Sequence, residues 1–231
     1  MKVALMLTGL ARKVQEGYDR YWKYIIDNND VDLYLHAWYS KPDGVTNHED
    51  SDDVYHVYKN PKYLYIQNPF KFTQYREGIN NPNNDNSRPL EDFDVYGNFR
   101  SFPMYYGWES TYQQIKTSGV KYDCIIRSRY DLEGLPLDLN KLDLTKINVA
   151  GNHWGGTNIN DDNFCVTNQE ISDKIFSNIF TDIITYHKSI GKISGAEQNF
   201  TLFLMRNELH HLSHKSPLIQ FNLLRDNKLW Y

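Results

Sequence analysis

Residues 1–38 read MKVALMLTGLARKVQEGYDRYWKYIIDNNDVDLYLHAW, and three patterns follow one another in them. Val3 to Leu7 is a short apolar run, as in a strand buried on both faces. Thr8-Gly9 marks a turn at its end. From about Lys13 to Asn28, the residues Val14, Tyr18, Tyr21, Trp22, Ile25 and Ile26 recur at helical spacing. VDLYLHAW, residues 31–38, reads as a second strand. Strand, helix and strand in so short a span make a βαβ unit, which sets two parallel strands side by side.

The same alternation continues. Residues 40–60 are polar and acidic and read as a loop; YLYIQ, 63–67, is a third strand. NNPNNDNSRP, 80–89, is too polar for a core and reads as a loop or insertion, so that about 70–100 forms a polar loop or lid. Pro103 to Lys116 is a helix with Met104, Trp108, Tyr112 and Ile115 along one face, and Pro103 suits its first turn. Strands follow at 122–128, 147–150 and 163–167. Asn168 is placed to cap a helix over about 169–188, where Ile171, Ile175, Ile179 and Ile183 recur. A last helix runs from Ser194 or Gly195 to about Asn207, and about 210–231 is a C-terminal tail. The fold class expected is α/β: one domain over 1–231, with a mixed, mostly parallel central sheet flanked by helices.

Bulk properties narrow the function. At 231 residues the chain can bury one substantial core. A net charge of −4 argues against a general nucleic-acid binder, which carries a basic excess. The 18 Tyr and 5 Trp offer faces on which sugars or bases stack, or they reflect a compositional bias towards Asn, Ile and Lys. Cys124 and Cys165 each sit in an apolar run without a CxxC partner, which points away from zinc and disulfides and towards a reducing compartment. No cleavable leader and no 18-residue apolar stretch is seen, so a cytoplasmic protein without a membrane span is expected.

The chemistry gathers where strands end. In open α/β sheets ligands bind beyond the carboxyl ends of strands. After the first strand comes Thr8-Gly9-Leu10-Ala11-Arg12. After the central one, YDCIIRSRYD (122–131) places Arg127, Arg129 and Asp131 on one face if the chain stays extended. Asp161-Asp162 flank a later strand. Two guanidiniums beside a carboxylate can grip a phosphate, and a carboxylate beside a diphosphate can hold Mg²⁺ or Mn²⁺. A structural salt bridge is the competing reading. No GxGxxG follows the first strand, and no GxxxxGK[ST], GxSxG or HExxH occurs.

The ordered set VALMLTGLAR, VDLYLHAW, FPMYYGWEST, YDCIIRSRYDL, Asp162-Asn163-Phe164 and GAEQNFTLFL resembles small glycosyltransferases of the GT-A fold, the compact kind found in large viruses, phages and bacterial surface-polysaccharide loci. The resemblance implies transfer of a sugar from a nucleotide-diphosphate-sugar donor to a hydroxyl of a glycan or lipid-linked acceptor. It implies that Thr8, Gly9 and Arg12 hold the nucleotide. It sets Arg129-Tyr130-Asp131 at the metal-binding DxD position, with arginine replacing the first aspartate. Asp131 would then ligate Mn²⁺ or Mg²⁺, with His214 as a further ligand, or Arg127 and Arg129 would do the metal's electrostatic work. Asp162 and Glu197 are candidate catalytic bases, Asp162 alternatively contacting the donor sugar. Glu197 otherwise reads as a first-turn residue favoured by the helix dipole. Trp154 and Gly155, with Gly156, form a loop able to meet a sugar. His36 and Trp38 line the nucleotide pocket or simply pack. The rival readings are a sugar nucleotidyltransferase, for which TGLAR is a thin phosphate loop, and a non-catalytic glycan- or partner-binding module of the same fold.

Overall fold

The structure is a computed structural model that describes residues 1–42, 49–70, 72–79, 101–134, 137–150, 160, 162–192, 194–219 and 221–223. Most of the expected lid, the loop carrying Trp154, Gly155 and Gly156, and Asp161 lie outside them.

The chain is an α/β domain. Strands β1 (Lys2–Leu10), β2 (Asp30–Trp38), β3 (Tyr63–Gln67), β4 (Cys124–Ser128), β6 (Ile147–Ala150), β7 (Cys165–Thr167) and β8 (Ser213–Ser216) form one sheet in the order β3-β2-β1-β4-β7-β6-β8. The first four run parallel, and β8 is parallel to β6. Strand β7 alone runs against its neighbours β4 and β6. The sheet is therefore mixed and mostly parallel, as expected. A separate ribbon pairs β5 (Leu132–Gly134) with β9 (Phe221–Leu223).

Helices cover both faces. Ala4, Met6, Tyr34, Trp38 and Ile125 face α4 (Ser101–Thr117), α5 (Gln169–Phe176), α6 (Ile179–Ile190) and α7 (Ala196–Arg206) in one apolar cluster, against which Tyr75 of the short α3 (Thr73–Arg76) also packs. Val3, Leu5, Leu7, Leu33, Leu35 and Ile126 face α1 (Val14–Tyr21) and α2 (Asp52–Val57) in another. This two-sided burial is why the strands read as continuous apolar runs.

Several boundaries differ from the sequence reading. Strand β1 runs through Thr8-Gly9 to Leu10, because its ladder with β2 continues to Leu10↔Trp38. Helix α1 stops at Tyr21 and passes into a π-helical turn, Trp22–Ile26, that was expected to be ordinary helix. The acidic loop at 40–60 contains α2, whose first-turn Asp52 and Asp53 favour the helix N-terminus and whose Val54 is buried. The expected helix over 169–188 is two helices. Asn168 caps the first, accepting from the Ile171 N–H at 2.9 Å. The Glu109 carboxylate on α4 accepts from the Phe180 and Thr181 N–H groups and so caps the second. The C-terminal tail supplies β8 and β9.

Candidate functional site

Four parallel strands bring their carboxyl ends to one edge of the sheet. Because β7 is antiparallel to β4, the residues before it arrive at the same edge. Arg127 pairs with Cys165 in the ladder, so Arg129 comes level with Asn163. The Arg129 Nη1 donates to Asn163 Oδ1 at 3.0 Å. Arg127 donates from Nη1 to the Asp162 carbonyl. The edge thus gathers Arg127, Arg129, Asp131, Asp162 and Asn163.

The two arginines have different roles. The Arg127 side chain is only 1% exposed, and its guanidinium lies 3.5 Å from the centroid of the Trp108 ring. A stacked, dehydrated guanidinium is held by the ring quadrupole. Trp108 is itself wedged by the Tyr105, Phe176 and Phe200 rings. Arg127 therefore holds the backbone of Asp162. Arg129 stays at the rim, its side chain 23% exposed.

Arg129 forks Asp131. Its Nε donates to Oδ1 at 2.7 Å and its Nη2 to Oδ2 at 2.8 Å. Such two-point pairing fixes the guanidinium plane. Helix α1 holds the same segment from the other face. The Tyr21 hydroxyl donates to the Arg129 carbonyl at 2.6 Å and takes a bond from Ser128 Oγ, also 2.6 Å away. Burial keeps that phenol protonated by raising its pKa. A Cβ on Gly17 would overlap the Tyr130 carbonyl oxygen, so only glycine lets the helix approach this closely. The α1 N-terminus is tied in turn by Glu49, which accepts from the Val14 N–H at 2.9 Å.

The carboxylates lie on the α7 side. Asp162 is buried, and Glu197 is half-buried in the first turn of α7. Both act electrostatically on Tyr105, whose hydroxyl donates to the Ala196 carbonyl at 2.7 Å. Burial raises the Tyr105 pKa most; the two carboxylates add to it and Arg127 opposes. Thr201 Oγ1 accepts from the Asn160 N–H at 2.8 Å and joins the middle of α7 to the segment before β7.

Thr8 has a buried side chain. It pairs with His36 in the ladder, and both side chains lie under α4 beside Gly107. Burial pushes the His36 pKa down to about 4, against its 2.9 Å bond to Gln67, so the ring is neutral. Thr8 Oγ1 and His36 Nδ1 have no hydrogen-bond partner among the described residues. Trp38 is likewise packed, against Phe70, Phe72 and Tyr106. Gly9 has φ +125°, and a Cβ there would meet no described atom within 4 Å. Arg12 is partly buried beyond β1.

His214 is not near Asp131. It pairs with Asn148 on β6, level with Ile126, and β8 is three strand positions from β4, about 14 Å. Among the described residues no group of three or more His, Cys, Asp or Glu is placed to hold a metal ion.

Tyr21, Gly17, Trp108 and Asn163 shape this site, and none of them was a candidate site residue in the sequence; Trp108 and Asn163 lay within stretches that carried the resemblance, whereas Gly17 and Tyr21 lay in none. No helix among the described residues is long and apolar enough to cross a membrane. No protein-family model matches this chain, and no curated protein matches it.

Proposed function

We propose that this chain is a glycosyltransferase that moves a sugar from a nucleotide-diphosphate-sugar donor to a hydroxyl of a glycan or lipid-linked acceptor. The observation that carries the reading is the meeting of Arg129, Asp131, Asp162 and Asn163 at the carboxyl edge of an α/β sheet, where such folds take nucleotides. The donor would lie across the ends of β1 and β4, with Gly9 and Arg12 towards the nucleotide. Arg129 would stabilise the charge that builds on the departing diphosphate. Glu197 or Asp162 would take the proton of the acceptor hydroxyl. Trp154 and Gly155 are proposed to meet the sugar. Two buried cysteines that form no disulfide suit a reducing, cytoplasmic setting.

The test is incubation with a panel of nucleotide sugars, with release of free nucleoside diphosphate followed by mass spectrometry. Slow hydrolysis or transfer with one donor is expected. A folded chain that turns over no donor sinks the catalytic reading. One observation favours a second reading, a non-catalytic module of the same fold: Asp131 is engaged by Arg129. That module would bind ligand without consuming it.

A further inference from the structure

A divalent cation at Asp131 is what the family resemblance implies, and the residues do not fit one. Both Asp131 oxygens already accept bonds from the Arg129 fork. An incoming Mn²⁺ or Mg²⁺ would have to displace that fork and stand beside a like charge. Hard cations also need a shell of oxygen ligands. His214, the second expected ligand, lies three strands away from β4.

What these residues do fit is an anion. A guanidinium carries five N–H donors. The described bonds to Asp131 and Asn163 use three of Arg129's. The side chain is nonetheless 23% exposed, and its own backbone carbonyl is held by Tyr21. Asp131 is 2% exposed, so the fork sits on a dry base. A cation whose plane is fixed before the ligand arrives loses little freedom on binding. Guanidinium geometry also matches two phosphate oxygens, which an ammonium does not.

We propose that this chain binds nucleoside diphosphates without a divalent cation, Arg129 supplying the positive charge and Asp131 and Asn163 orienting it. The proposal rests on the donor-site reading above and names how that site holds its ligand. Asp131 is then a positioning residue rather than a metal ligand.

The experiment is calorimetric titration of the full chain with uridine, guanosine, cytidine and adenosine diphosphates, each in EDTA and in Mn²⁺. One nucleotide is expected to bind with the same affinity in both. R129K keeps the charge and loses the fork; binding should weaken roughly thirtyfold in both buffers. The melting temperature of R129K checks that it folds, and the wild-type comparison decides the matter if it does not. Binding that needs Mn²⁺ overturns this inference and leaves the glycosyltransferase reading standing. Binding by R129K equal to wild type also overturns it. No binding of any diphosphate by the folded chain, in either buffer, removes the donor-site reading itself and this inference with it.

Discussion

The Tyr21 hydroxyl on helix α1 donates to the carbonyl of Arg129 at 2.6 Å, across 108 positions of chain. One phenol thereby fixes the backbone from which the rim arginine projects. Y21F removes this bond and the one from Ser128. Two bonds of this kind contribute about 2 kcal/mol. Urea denaturation should show that loss, and calorimetry should show nucleoside diphosphate binding weakened several-fold. Lowered stability with unchanged affinity would confine Tyr21 to the fold.

Gly17 tests the same clamp through sterics. The Cβ of G17A would occupy the place of the Tyr130 carbonyl oxygen, so α1 must move off the segment after β4. Overpacking of this kind costs about 3 kcal/mol. G17A should melt well below wild type; equal melting temperatures would mean that the helix can withdraw without loss.

His36 makes stability depend on pH. Its folded pKa, about 4, lies below the ordinary histidine value. Between those values the unfolded chain binds a proton that the folded chain does not. His36 therefore costs nothing above about pH 6.5, and stability falls as pH drops from there towards 4, by up to about 1.4 kcal/mol per pH unit. Denaturation midpoints across that window, compared with those of H36Q, isolate the effect. An identical slope in both proteins would assign it to other groups.

The two carboxylates on the α7 side should separate binding from chemistry. A lost general base costs about 10²- to 10⁴-fold in rate. E197Q or D162N, whichever removes the base, should show that fall in kcat with donor affinity unchanged. If neither variant slows transfer, the base is elsewhere.

Much of the architecture was legible because local pattern and global fold agree. Strands β1, β2, β3, β4, β6 and β7 announced themselves as short apolar runs, since both faces of the sheet are covered. Asn168 announced its helix because a cap bonds within three residues. The site was half legible. That polar residues gather beyond β1, β4 and before β7 followed from strand order and the rule for open sheets. That Arg127 is a buried prop while Arg129 is the rim cation did not follow, because alternation puts both on one face and says nothing of Trp108 beneath one of them.

By itself, then, the sequence determined the α/β class, the position of most strands and the stretches that reach the carboxyl edge. These depend on hydrophobic periodicity and turn chemistry, which act over a few residues. Tertiary structure alone decided the rest. It split one expected helix in two, where Glu109 supplies a cap to Phe180 from 71 positions away. It drew the terminal segment into the sheet as β8 and carried His214 away from Asp131. It also turned Arg129 onto Asp131 and locked that pair under Tyr21. The Glu109 cap, the β6–β8 ladder and the Tyr21 bond each join groups remote in the chain, and such bonds form only once the packed core has fixed the distance between them.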